Sequence, residues 1–149
     1  MTTRHALPDI PAMTRFGARI APLLRAGDVV ALNGDLGAGK TTLARAILKA
    51  LGYVGEVPSP TFTIIESYDA SLVSTPIVHA DFYRLDDPSE IRELGIDDYR
   101  ENAALLAEWP DRAGGFAHEP ACLSILLETV TAGRLAIVEP GADWLDRWT

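Results

Sequence analysis

Lysine is nearly missing from this chain: among its 149 residues only Lys40 and Lys49 are lysines. With a formal net charge of -8, this scarcity argues against a broad nucleic-acid-binding face, because phosphate backbones are held by clusters of Lys and Arg. Cysteine is scarcer still. Cys122 stands alone, so neither an intrachain disulfide nor a thiolate metal cluster can form. Although 48% of the residues are apolar, no run approaches the roughly 20 that a membrane helix needs. The opening residues Met1-Thr2-Thr3-Arg4-His5 carry no hydrophobic signal region. The expectation is a cytoplasmic protein without a membrane segment, folded as one domain over residues 1–149 and large enough for a real core.

Against these absences stands one strong motif. Gly34-Asp35-Leu36-Gly37-Ala38-Gly39-Lys40-Thr41 reads G-x-x-x-x-G-K-T, the phosphate-binding P-loop, and Thr42 follows it. Before it, Val29-Val30-Ala31-Leu32 is a short apolar run of the kind that makes a buried strand. After it, Leu43, Ile47, Leu48 and Leu51 recur at helical spacing until Gly52. Strand, glycine loop and helix in this order give the motif its mechanism. Glycines let the backbone curl so that successive N–H groups face phosphate oxygens, and the helix start adds its positive dipole end. Asp35, Leu36, Gly37, Ala38, Gly39, Lys40, Thr41 and Thr42 are therefore the expected nucleotide-binding residues. Lys40 is expected to reach the β- and γ-phosphates and the Thr41 hydroxyl to bind Mg²⁺. The N-K-x-D element that usually reads guanine is missing, since Lys49 lies in Leu48-Lys49-Ala50-Leu51. ATP is the expected nucleotide.

The remaining elements follow from periodicity and turn residues. Met13, Phe16, Ile20, Leu23 and Leu24 form a helical stripe ended by Gly27. Ahead of it, residues 7–11 are a candidate lining for an adenine pocket. Pro58 and Pro60 forbid helix, and the β-branched residues after them read as a strand. Thr61 there admits two readings: a switch residue sensing Mg²⁺ or the γ-phosphate, or part of a proline-stiffened turn. Thr63 is the second switch candidate. Residues 77–83 read as a strand, and Asp87 with Pro88, Glu90 and Gly95 frames a short helix. Residues 103–108 form a second apolar run ending in an acid. The runs 123–130 and 135–138 flank Thr131-Ala132-Gly133-Arg134 and predict a C-terminal hairpin. The tail, 142–148, reads as a short helix laid on the core.

Mg²⁺ at such a loop needs a carboxylate from the end of a second buried strand. Asp81 and Glu108 both qualify, and spacing leaves open which contacts the metal and which orients the attacking water. His79 shares a strand face with Asp81 and reads either as a satisfied core histidine or as a group orienting a carboxylate or touching phosphate. Arg84 reads as a surface ion-pair partner or as charge for the phosphoryl group. Trp109 reads as core or as a partner-facing aromatic, and Cys122 as a small core residue.

In order along the chain, the P-loop through Thr42, Ser59-Pro60-Thr61-Phe62-Thr63, His79-Ala80-Asp81-Phe82-Tyr83-Arg84-Leu85 and Glu108-Trp109-Pro110 resemble the TsaE (YjeE) family. These are bacterial ATPases needed to make threonylcarbamoyladenosine in tRNA. The likeness covers most of the chain from Leu7 to about Arg134. It implies an α/β P-loop NTPase fold with a central, mostly parallel sheet flanked by helices. It implies ATP with Mg²⁺ held by Thr41 and Glu108, hydrolysis needing Lys40, Asp81 and Glu108, and a switch loop over residues 59–63. Arg134 resembles an arginine that flanks the adenine. The implied partner is the TsaB–TsaD pair, which the ATPase resets between turnovers, so that tRNA is met only through the partner. Met13 departs from the family, many members of which carry Thr there. A binding switch that does not need hydrolysis and a small-molecule kinase are the rival readings. The arginines after Arg84 are spread singly, without the lid-like cluster a kinase needs.

Overall fold

Strand β2 (Val29–Asn33) is apolar on both faces, and it lies in the middle of a mixed α/β fold. In the computed structural model, residues 1–58 and 65–149 are described. The Ser59-Pro60-Thr61-Phe62-Thr63 stretch, with both switch candidates Thr61 and Thr63, lies outside the described residues. On one side of β2, Val30 and Leu32 meet the apolar stripes of helices α1 (Ile10–Ile20) and α2 (Lys40–Ala50). On the other side, Val29 and Ala31 meet a second cluster built around Phe82, Ile96 and Phe116. A strand covered on both faces reads as a continuous apolar run, which is how Val29-Val30-Ala31-Leu32 stands in the sequence.

The other strands are β1 (Thr3–Leu7), β3 (Ile65–Tyr68), β4 (Ile77–Asp81), β5 (Ala104–Glu108), β6 (Cys122–Val130) and β7 (Gly133–Pro140). Among the described residues they form a seven-stranded sheet in the order β1-β7-β6-β2-β5-β4-β3. The central ladder β4-β5-β2-β6 is parallel. The outer pairings β1–β7, β6–β7 and β3–β4 are antiparallel. The expected parallel sheet is thus the centre only, and the expected hairpin is β6–β7.

Helix α1 begins where Asp9 caps it, its Oδ1 accepting the Ala12 N–H at 2.9 Å. It crosses α2 so closely that a Cβ on Gly17 would sit 2.6 Å from the Ala46 Cβ. Three elements differ from expectation. Strand β1 was not anticipated, because its inward residues Thr3 and His5 are polar and hide the alternation. The strand expected over 77–83 stops at Asp81, where its Oδ1 accepts the Tyr83 N–H at 2.9 Å and turns the chain. The helix expected after Asp87 is only α3 (Glu90–Glu93), since Asp87 Oδ1 accepts the Ser89 N–H in a turn before it. A further short helix, α4 (Ile96–Arg100), buries Ile96. No helix among the described residues is long and apolar enough to cross a membrane.

The tail forms a 3₁₀ turn, Ala142–Trp144, that seats Trp144 and Trp148 in the core. Trp144 Nε1 donates to the Ala121 carbonyl at 2.7 Å, and Trp148 Nε1 to Thr3 Oγ1 at 3.1 Å. Arg147 spans from this tail to Asp28, just before β2, through two bonds of 2.7 and 2.9 Å. Both side chains are almost fully buried. Replacing one partner would leave the other charge buried and unpaired. Arg147→Ala is therefore expected to destabilise the fold by about 3–5 kcal/mol, read as a shift in the chemical-denaturation midpoint. An unchanged midpoint would show that the pair contributes nothing.

Candidate functional site

Between β2 and α2 the chain turns through three glycines in positive-φ conformations: Gly34 at 144°, Gly37 at 81° and Gly39 at 107°. At Gly34 a side chain is excluded twice over, because a Cβ would also lie 2.5 Å from the Leu127 carbonyl oxygen. Helix α2 then starts from left-handed Gly39 with no side-chain cap. The first N–H groups of a helix have no intrahelical partner. Left uncapped and at the positive end of the dipole, they suit an anion. The Met13 methyl packs beneath this bend, 3.0 Å from where a Gly39 Cβ would be. Met13 thus serves as an apolar floor for the loop. Asp35, Leu36 and Gly37 form its exposed tip, with Leu36 80% exposed.

Lys40, at the first helical position, is only 5% exposed. Its Nζ donates to the carbonyls of Gly34 at 2.5 Å and Asp35 at 3.0 Å. It also lies 4.1 Å from the centre of the Trp109 ring. Burial pulls its pKa down, opposed by the charges of Glu108, Asp81 and Asp35. The ammonium is thus folded back onto its own loop.

The next residue ties the loop to the sheet. Thr41 Oγ1 donates to Glu108 Oε1 at 2.7 Å, and His79 Nε2 meets Glu108 Oε2 at 2.6 Å. Glu108 is 2% exposed and His79 fully buried. Asp81 and Glu108 end neighbouring parallel strands directly opposite each other, so both acids singled out in the sequence stand at the start of α2. Of the two, Glu108 takes the Thr41 proton, while Asp81 accepts the Tyr83 N–H. His79, for which two readings stood open, is a buried histidine bonded to the Glu108 carboxylate.

After Glu108 the backbone bends sharply. Trp109 has φ 54°, the one non-glycine at positive φ among the described residues, a conformation that costs about 1–3 kcal/mol for a bulky side chain. The bend places the indole over Lys40 and 5.0 Å from the Tyr83 ring, which in turn carries Arg112 at 5.2 Å. Tyr83 and Arg112 were not foreseen, since nothing in their local pattern marks a stack that only the ends of β4 and β5 assemble. Arg84 is exposed beside them.

Arg134, expected near an adenine, lies against the loop itself. Its Nε donates to the Ala38 carbonyl and its Nη2 to the Gly37 carbonyl, each at 3.1 Å. Beside it, Gly133 packs so tightly on the N-terminal segment that a Cβ would be 2.6 Å from the Pro8 carbonyl. The candidate adenine-side residues Leu7, Pro8 and Arg134 thus come together next to the loop. A cleft of about 1010 Å³ opens between Gly34, Asp35 and Ala38, the segment from Trp109 to Arg112, and the uncovered faces of β6 and β7 at Leu126 and Ile137.

The donors at the start of α2 are a hydroxyl and two carboxylates, hard oxygens of the kind Mg²⁺ prefers. Among the described residues no group of three or more His, Cys, Asp or Glu side chains could hold a metal by itself. Mg²⁺ is commonly held by one or two carboxylates, with waters and substrate phosphates completing its shell, and these oxygens fit that pattern.

A family model described as "Threonylcarbamoyl adenosine biosynthesis protein TsaE" matches residues 7–135. The tRNA threonylcarbamoyladenosine biosynthesis protein TsaE of Haemophilus influenzae is 42% identical over 119 residues, covering 76% of this chain and 74% of that protein. The protein of the same name from Streptomyces coelicolor is 44% identical over 98 residues, covering 65% and 66%. The crystal structure of YdiB from Bacillus subtilis superposes with a TM-score of 0.76 at 25% identity, over 98% of this chain and 88% of that one.

The two bonds from Arg134 to the loop carbonyls yield a direct expectation. Arg134→Ala should speed hydrogen exchange of the Ala38 amide, which is bonded to the Asp35 carbonyl at 3.0 Å, by an amount equivalent to about 1–3 kcal/mol of local opening. Exchange at Trp144, on the far side of the fold, should not change. Equal protection of the loop in both proteins would mean that the guanidinium does not order it.

Proposed function

The chain belongs to the TsaE family, and from that premise we propose that it binds ATP in the glycine loop as a P-loop ATPase. In this reading it uses hydrolysis to support threonylcarbamoyladenosine modification of tRNA. The observation that carries the proposal is the Thr41–Glu108 hydrogen bond of 2.7 Å. It joins the first turn of an uncapped helix to the end of a neighbouring strand, where a P-loop protein needs hydroxyl and carboxylate together.

Each residue then has a task. The loop from Gly34 to Thr42 wraps the phosphates with backbone N–H groups. Lys40 exchanges the carbonyls of Gly34 and Asp35 for phosphate oxygens. Thr41, its proton held by Glu108, presents its oxygen lone pairs to the cation, and Glu108 keeps further acceptor sites on the same side. Bound Mg²⁺ would neutralise charge on the β- and γ-phosphates. Asp81, opposite Glu108, orients the attacking water and accepts its proton. Arg134 holds the outer side of the loop in shape. The resting bonds of Lys40 must break before this arrangement is complete, which suits a slow enzyme.

The partner follows from charge as well as family. A chain of net charge -8 is poorly suited to grip tRNA directly, so contact with RNA falls to the proteins it works with. The TsaB–TsaD pair is the proposed partner. No arginine finger for the γ-phosphate is fixed by the sequence, and such a group supplied in trans is worth ~10³–10⁵ in rate.

Release of radioactive γ-phosphate should be slow for the isolated protein, accelerated by TsaB–TsaD, and lost in Lys40→Ala. The label should appear as free phosphate. Equal rates with and without the pair would remove the activation step, and label on an acceptor molecule would make the protein a kinase.

A further inference from the structure

Glu108 takes a hydrogen bond on each oxygen, and only one comes from the glycine loop. The other comes from His79, one strand over and two residues before Asp81. The imidazole is fully buried, its Nε2 lies 2.6 Å from Glu108 Oε2, and its Nδ1 meets no hydrogen-bond partner among the described residues. A proton on Nδ1 would be a buried donor with nothing to receive it, whereas on Nε2 it points at a carboxylate. The ring's tautomer is therefore set by Glu108, and the carboxylate's orientation by the ring. His79 also faces Leu106 across the β4–β5 ladder, so it cannot swing away without disturbing the parallel core.

We propose that His79 is a positioning residue for Glu108. Its Nε2–H fixes the carboxylate so that Oε1 takes the Thr41 proton, which leaves the lone pairs of that hydroxyl for the cation bound with the nucleotide. The inference rests on the Mg²⁺·ATP reading of the site and adds to it a residue that touches neither metal nor phosphate. Groups that orient a metal-binding side chain matter through metal affinity rather than nucleotide affinity: removing one typically costs about 10–100-fold in the former. A histidine that only fills the core would show no such selectivity.

The test uses two variants and two titrations. His79→Leu keeps bulk but removes the donor, and His79→Gln places an amide N–H at a similar reach. Mn²⁺ is titrated by electron paramagnetic resonance in the presence of ATP, and ATP alone is titrated in EDTA. The expected result is Mn²⁺ affinity reduced about 10–100-fold in His79→Leu, with metal-free ATP binding unchanged and with affinity regained in His79→Gln. Equal Mn²⁺ affinity in His79→Leu overturns the inference, as does a His79→Gln variant that folds but binds Mn²⁺ no better than His79→Leu. If the wild-type protein itself binds no Mn²⁺ with ATP, the functional reading fails instead. Should His79→Leu not fold, ¹⁵N-histidine spectra of the wild type decide. The Nε2–H resonance must respond to Mg²⁺ added to the ATP complex, and no response overturns the inference.

Discussion

A carboxylate buried at the end of a central strand has to be satisfied by donors, or the fold does not tolerate it. Glu108 meets that requirement with Thr41 on one side and His79 on the other. The requirement reaches across the molecule. These bonds tie the start of α2 to the end of β5 and β5 to β4, whose register sets Asp81 opposite Glu108. The loop needs its own room, which Gly34 provides by passing against the Leu127 carbonyl where no side chain fits. One polar tie and one close approach thus hold the glycine bend in place.

The opposite side of the loop is held differently. Arg134 reaches back from the β6–β7 hairpin to the carbonyls of Gly37 and Ala38, while Met13 supports the bend from α1. Lys40 rests on carbonyls within the loop and on the Trp109 indole. The strained backbone of Trp109 is what brings that indole over the lysine. The site is therefore already assembled, with its lysine occupied by neutral partners.

Much of this was legible in the sequence because it is local. The apolar run Val29-Val30-Ala31-Leu32, the glycine spacing and the stripe on α2 specify strand, loop and helix without reference to the rest of the chain. Asp81 and Glu108 were legible as strand-end acids, but not which of them bonds Thr41, since sheet order decides which strand neighbours the loop. Arg134 was singled out by resemblance, yet its contact with the loop carbonyls depends on where the hairpin lands. Strand β1 was hidden because Thr3 and His5 point inward: the Thr3 hydroxyl meets Trp148, and the His5 ring packs against Phe16 and Trp148. The Arg147–Asp28 pair joins residues at opposite ends of the chain, a contact no periodicity can announce. The Tyr83–Trp109 stack has the same origin, two loop residues made neighbours by parallel strand ends.

The most direct measurement is a crystal structure of the protein with Mg²⁺ and a non-hydrolysable ATP analogue. The account predicts a triphosphate within the loop from Gly34 to Thr42, Thr41 Oγ1 on the cation with its bond to Glu108 retained, and Lys40 Nζ moved from the carbonyls of Gly34 and Asp35 to the phosphates. A nucleotide bound elsewhere, or a lysine still on those carbonyls with Glu108 turned away from Thr41, would contradict it.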